Sequence, residues 1–254
     1  MSSLAISGIV FGCILGGAIF GMILRALLPE KHLSPETKDL VKLGMGLIGT
    51  MTALVLGLLI ASAKSSFDTQ RNGVAQLAGN VIMLDRTLAR CGPDANETRE
   101  MVRASVADML RRTWPEEDTE SGQKAERSAT EGKYEAVYDN IQELKPQSDA
   151  QRASQAQALK TAMDIAQARW LLFAQKGNSI PTPFLIVMVA WVTLIMASFG
   201  LFAPPNTTVF LTLFVCALAV SSAIFLVLEL DRPLDGTIRI SSAPIRNALG
   251  QLGR

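Results

Sequence analysis

Three charges and a stripe of small residues are the parts of this chain best placed to do chemistry. Lys64 and Asp68 lie four residues apart directly after an apolar run, and Glu229 closes another run between Leu228 and Leu230. Within the run before Lys64, Gly49, Ala53, Gly57 and Ala61 recur at four-residue intervals, and Thr50 and Thr52 supply hydroxyls among them. These residue types suit the handling of ions better than the making of bonds. If copies of the chain surrounded an axis, Lys64, Asp68 and Glu229 would repeat as charged rings at a mouth, and such rings set ion selectivity in many pores. The small-residue stripe would then line the pore, or it would let helix backbones approach closely in a packed bundle. A charge at a span end is also commonly an anchor, and Arg232, three residues after Glu229, offers it a salt bridge.

Catalysis has little to work with. The sequence holds one histidine, His32, so acid–base or metal chemistry built on imidazole is poorly supplied. No H-E-x-x-H, Walker A or G-x-S-x-G pattern is present. Cys13, Cys91 and Cys216 are scattered and form no C-x-x-C pair. No catalytic residue, metal site or cofactor is expected, and the chain is not read as an enzyme. The 24 Lys and Arg against 23 Asp and Glu lack the one-sided basic excess of a nucleic-acid partner.

The elements that must position these residues are apolar helices. Charged residues make up 19% of the chain, yet none precedes Arg25 and none falls between residues 182 and 228. Four apolar runs result, over residues 4–28, 41–63, 184–202 and 208–230. Each is long enough to cross a hydrocarbon core of ~30 Å as a helix, the element that satisfies its own backbone there. The uncharged start of the first run lacks the positive n-region of a signal peptide, so it is read as a retained span. The expected architecture is an all-α membrane protein, with four transmembrane helices and a helical stalk or bundle between spans two and three. Its expected divisions are residues 1–63 (two spans), 64–181 (helical domain), 182–230 (two spans) and 231–254 (tail). Lys64, Arg71, Arg169, Lys176, Arg232, Arg239 and Arg246 flank the spans on one side, against Arg25, Lys31, Lys38 and Lys42 on the other. The positive-inside rule therefore places the helical domain and both termini in the cytoplasm.

Between the spans the helical pattern continues. Val74, Leu77, Val81, Leu84 and Leu88 alternate at spacings of three and four, and no proline interrupts residues 39–92. One helix should therefore run from the second span as far as Cys91-Gly92-Pro93. A second helix is expected from Asp94, with Glu97 completing a capping box, through Met101, Val102, Val106 and Met109. Residues 116–132 read as a polar mobile loop, and 134–144 as a short helix. A returning helix from Asp149 carries Ala156, Leu159, Met163, Ala166, Trp170 and Phe173 at seam spacing, which suggests an antiparallel pairing with the first seam or with a neighbouring subunit.

Several segments match a known family. They are the glycine-rich first span, Gly46 to Gly57 of the second, Arg111-Arg112-Thr113-Trp114-Pro115, and Asp231-Arg232-Pro233-Leu234-Asp235-Gly236 followed by Ile238 to Ser241 and Pro244. The chain resembles the bacterial bestrophin-like family, with Asp231, Arg232, Pro233 and Gly236 as the most specific element. Leu234 stands where family members usually carry Phe. The resemblance implies a distant likeness in layout to bestrophins, which are pentameric anion channels with four spans, cytoplasmic termini and a pore lined by the second span. Residues 44–63 contain no Phe, Tyr or Trp, so the aromatic neck of a true bestrophin is missing.

Two functions are carried forward. The first is an oligomeric channel for small inorganic ions, anions by the resemblance, in the bacterial inner membrane. Its second span would line the pore and its helical domain would form a cytoplasmic vestibule. The partners are then the lipid bilayer, further copies of the chain (a pentamer by resemblance) and the ions, with no nucleic acid. The alternative is a non-conducting membrane scaffold or sensor whose cytoplasmic helical domain binds a protein partner. The C-terminal tail, with Arg239, Arg246 and Arg254, could dock on anionic lipid headgroups or on the stalk.

Overall fold

The computed structural model describes residues 2–29, 34–115, 131–174, 182–204, 206–233 and 236–253, with side chains omitted at 131–135 and 173–174. His32, the loop expected at 116–132 up to residue 130, and Leu234 and Asp235 lie outside the described residues. Among the described residues the chain is helical: α1 Ser3–Leu27, α2 Pro35–Arg90, α3 Asn96–Thr113, α4 Glu131–Glu143, α5 Asp149–Ala174, α6 Thr182–Phe202, α7 Thr207–Leu230 and α8 Ala243–Gln251. Four of these helices, α1, α2, α6 and α7, are long and apolar enough to cross a membrane.

The helices gather into two units, each made of segments distant in sequence. One comprises Met1–Phe67 and Asn178–Ile238, the other Asp68–Gly177 and Arg239–Arg254. α2 contributes to both as one unbroken helix of 56 residues.

In the first unit α1 is the hub. Its buried residues Ser3, Ser7, Val10, Ile14, Gly17 and Gly21 follow alternating steps of four and three, one stripe along the helix. α6 meets this stripe with Met188, Val192, Met196 and Gly200. The crossing is close because of glycine: a Cβ on Gly17 would lie 2.8 Å from the Thr193 carbonyl oxygen. A Cβ on Gly21 would overlap the Ala197 carbonyl, and one on Gly200 the Ala18 carbonyl. α7 packs on α1 with Leu213, Ala217 and Ile224, and buried Ser221 donates to the Ser7 carbonyl at 2.7 Å. In an apolar interior that bond satisfies a hydroxyl that would otherwise be costly. α2 adds Leu59 and Ala63 to this core, with Val55 and Leu56 half-buried against it.

The second unit is a helical bundle. All five seam residues of α2, Val74, Leu77, Val81, Leu84 and Leu88, are buried. α3 answers with Val102, Val106 and Met109. Its start differs from the expected capping box. Gly92 at φ +105° turns the chain, a 3-10 turn covers Pro93–Ala95, and the helix follows from Asn96 with no side-chain cap. Proline fixes its own φ and lacks an N–H, which suits the first position of such a turn.

α5 begins at Asp149 as expected but presents another face. Ala158, Thr161 and Ile165 are buried, whereas Ala156, Met163, Ala166 and Trp170 are exposed, Trp170 by 72%. Apolar side chains encircle this helix, so spacing alone does not single out the face that packs. Gln155 reaches from α5 to the Ile141 carbonyl at 2.8 Å and the Leu144 carbonyl at 3.0 Å, satisfying acceptors left open at the end of α4.

Candidate pore-lining site

Among the described residues, the span portion of α2 leaves most of its circumference uncovered. At 3.6 residues per turn, Gly49, Thr50, Ala53, Gly57 and Ala61 share an arc of about 120°. Among the described residues, no atom lies within 4 Å of a Cβ built on Gly44, Gly46, Gly49 or Gly57. Leu43, Leu47, Leu54 and Leu58 extend the same exposed surface. The glycines of α1 divide differently: Gly17 and Gly21 are filled by α6, while Gly8, Gly12 and Gly16 are open in the same sense as those of α2.

The two threonines point apart. Thr50 is exposed and donates to the Leu47 carbonyl at 2.8 Å, while Thr52 is buried and donates to the Ile48 carbonyl at 2.7 Å. Each hydroxyl proton is held within the helix, so Thr50 presents oxygen lone pairs outward.

Lys64 follows at the end of the stripe, exposed, with Nζ 5.6 Å from the centre of the Phe67 ring. That distance lets the ring face attract the ammonium without shielding it from water. Asp68 stands one turn further along α2 and is half-buried.

Glu229 has a different setting from the other two charges. It is 5% exposed, and its carboxylate accepts from the backbone N–H of Thr237, from that of Ile238 and from the Ser3 side chain. Among the described residues no ion pair joins Glu229 to Arg232; donors from Ser3, Thr237 and Ile238 take that place. Gly236 makes the arrangement possible. A Cβ there would lie 2.8 Å from Glu229 Oε2 and 2.9 Å from the Arg232 carbonyl oxygen. The glycine supplies room for the carboxylate, and its own N–H closes the turn onto the Arg232 carbonyl at 2.9 Å. Asp231 and Arg232 are half-buried, and Pro233 is buried in the same turn.

Arg25, at the other end of the unit, donates to the Ala203 carbonyl just past α6. A cation suits that position, where carbonyls lack helical partners. Among the described residues no group of three or more His, Cys, Asp or Glu side chains is placed to hold a metal.

Sequence reasoning met Trp114 and Ile240 only as parts of family segments, without pairing them, and left out Asp85 and Gly253. Trp114 Nε1 donates to the Ile240 carbonyl at 2.8 Å, and the Gly253 N–H donates to Asp85 at 3.2 Å. α8 packs on α3 between these ties, burying Ile245 and Ala248. The tail therefore docks on the helical bundle. The Trp-Pro pair at 114–115 was the available signal, since a tryptophan carries one indole N–H that seeks an acceptor when buried.

Comparisons with known proteins agree with this architecture. The profile of the bestrophin-like domain matches residues 12–245. A crystal structure of a bacterial bestrophin homolog from Klebsiella pneumoniae, carrying one substitution, superposes with a TM-score of 0.68 at 14% identity, covering 97% of this chain and 98% of that one. A second variant of that homolog gives 0.68 at 15% identity, over 100% and 99%. A crystal structure described as a membrane protein gives 0.63 at 15% identity, over 93% and 99%. No curated protein matches the sequence.

Proposed function

The chain belongs to the bestrophin-like family, and on that premise we propose that it is an oligomeric ion channel of the bacterial inner membrane. Four spans carry it across the bilayer, with both termini and the helical bundle on the cytoplasmic side. Copies gather about an axis, a pentamer by the family's layout, and α2 lines the pore.

The observation that carries this reading is the uncovered arc of α2. α1 and α6 close on each other at Gly17, Gly21 and Gly200, whereas among the described residues no atom lies within 4 Å of a Cβ built on Gly49 or Gly57, as on Gly8, Gly12 and Gly16 of α1, and Thr50, Ala53 and Ala61 of the arc are exposed. Lipid tails gain little from a face of glycine and alanine, because such a face offers few atoms for dispersion contact. Neighbouring copies or a water-filled path would use it better. Thr50 is the hydroxyl on that arc, and a sparse polar lining of this kind suits a hydrophobic constriction.

The preference is for anions. Lys64 is the exposed charge at the end of the arc, and the Glu229 carboxylate is enclosed by its donors. Asp68 works against Lys64 one turn away, so the preference is moderate.

Reversal potentials across a planar bilayer, with reconstituted protein under a chloride gradient, test the reading. Currents should reverse toward the chloride potential. Replacing Lys64 by Glu should cut the anion preference about thirtyfold, since unit charges 4 Å apart in water interact by ~1 kcal/mol and reversing the sign doubles the change. Unchanged selectivity removes Lys64 from the mechanism. Silence from an intact oligomer moves the reading to the scaffold.

A further inference from the structure

As one unbroken helix, α2 keeps a single phase along its length. At 3.6 residues per turn, Ala53 and Ala89 stand about ten turns apart and share one side of it. Past Lys64, steps of three and four residues continue that side through Asp68, Arg71, Ala75, Gly79, Ile82 and Arg86. Arg71, Ala75, Gly79, Arg86 and Ala89 are exposed, and no described atom lies within 4 Å of a Cβ built on Gly79. The opposite side of the same helix is the buried seam from Val74 to Leu88.

The uncovered side is unbalanced in charge. Beyond Asp68, the exposed residues of α2 include Arg71, Arg86 and Arg90 and no acid. Asp85, next to Arg86, is buried and taken up by two nitrogens of Arg99 and by the Gly253 N–H. The exposed charges of α5, by contrast, balance, with Asp149 and Asp164 against Arg152 and Lys160. Arg71 and Arg86 lie about 22 Å apart along the helix, roughly two Debye lengths at 0.1 M salt, so each acts as a separate station.

We propose that α2 continues to face the ion path beyond the span, with Arg71 and Arg86 concentrating small inorganic anions on the cytoplasmic approach to the pore. The proposal rests on the reading that copies of the chain surround an axis lined by α2. Each arginine then recurs once per copy, and a cleft lined by one sign of charge focuses its field and raises the local counter-ion concentration. Arginine suits this task, because its guanidinium stays charged and is more weakly hydrated than an ammonium. Lys64 discriminates at the mouth, while Arg71 and Arg86 set the supply.

Thiol chemistry reads the potential along this face without needing a current. In the full chain with Cys13, Cys91 and Cys216 replaced by Ala, Gly79→Cys sets a thiol between the two arginines, and Ala153→Cys on α5 serves as control. The reaction rates of an anionic and a cationic methanethiosulfonate are compared on the reconstituted protein at low salt. Two guanidiniums of a single copy, each about a Debye length away, would raise the anion-to-cation rate ratio about twofold. Guanidiniums of several copies facing one space should raise it about tenfold or more over the control. Arg71→Gln and Arg86→Gln should each lower the ratio, and about 0.5 M salt should bring it to the control value. Ala75→Cys, on the same face, repeats the measurement should Gly79→Cys fail to assemble. A ratio within about twofold of the control, a ratio unmoved by both substitutions, or a thiol that neither reagent reaches in the folded oligomer overturns the proposal. A raised ratio in electrically silent protein keeps the basic face and ends the channel reading. Currents with a ratio at the control value keep the channel and end the proposal.

Discussion

Asp85 shows how much one enclosed carboxylate can organise. It is 2% exposed, and Arg99 meets it with Nε at 2.8 Å and a second guanidinium nitrogen at 3.0 Å, while Gly253 adds its N–H. Burial opposes the charge, but the Arg99 guanidinium and the Gly253 N–H outweigh it and hold the carboxyl below its usual range. A folded value below the unfolded one means the pair stabilises above the unfolded pKa, near 3.9, and that this stabilisation is lost as pH falls through the folded value. Asp85→Asn should therefore cost ~3 kcal/mol near neutral pH, the lower end for breaking a buried ion pair. The deficit should shrink in acid. Denaturant unfolding of the full chain, followed by helix content across pH, checks this; an equal deficit at both extremes would refute it.

Among the elements, α1 and α5 show where periodicity is informative and where it fails. Gly8, Gly12 and Gly16 repeat as regularly as Gly17 and Gly21, yet α6 fills only the second set. Gly21→Val should thus destabilise the protomer by about 3 kcal/mol, since a backbone carbonyl stands where the side chain would go. Gly12→Val should change the protomer's own stability by less than ~0.5 kcal/mol. Thermal unfolding of the two variants, monitored by helix content in one detergent, separates them; equal losses would deny the α1–α6 crossing its role. On α5 Ala156, Met163, Ala166 and Trp170 of the expected seam proved exposed and Leu159 half-buried, because alanines and large apolar residues leave no face distinctly polar. On α2 the seam from Val74 to Leu88 was legible, since Gln76, Asn80 and Arg86 separate its residues with polar ones.

In the molecule as a whole, chain segments remote in sequence are gathered into each unit, and the passage from one unit to the other after Ile238 is tied on both sides. Thr237 is held by Glu229 in the first unit, and Ile240 by Trp114 in the second. Trp114→Phe keeps the ring and removes the indole donor, at a cost of ~1 kcal/mol for one hydrogen bond. Amides of residues 243–251 should then exchange about fivefold faster, while those of α1 and α6 keep their rates. Unaltered exchange in α8 would show that Ile245 and Ala248 hold the tail without the tryptophan.

The sequence by itself determined the helical class, the four apolar helices, the single long α2 and the family, because span length, charge exclusion and strong seams are local properties of the chain. It also singled out Glu229 and Gly236, but beside a pore-mouth role it could offer the carboxylate only Arg232 as a partner, because only near neighbours are visible along a sequence. The tertiary structure decided which glycines are filled, which face of α5 packs and where the tail docks. Each of those outcomes depends on the shape or the free donors of a partner far away in sequence. Gly21 needs the Ala197 carbonyl, Trp114 needs Ile240, and Asp85 needs both Arg99 and Gly253. Such pairings are settled by which polar groups remain unsatisfied once the helices meet, and no spacing along the chain records that.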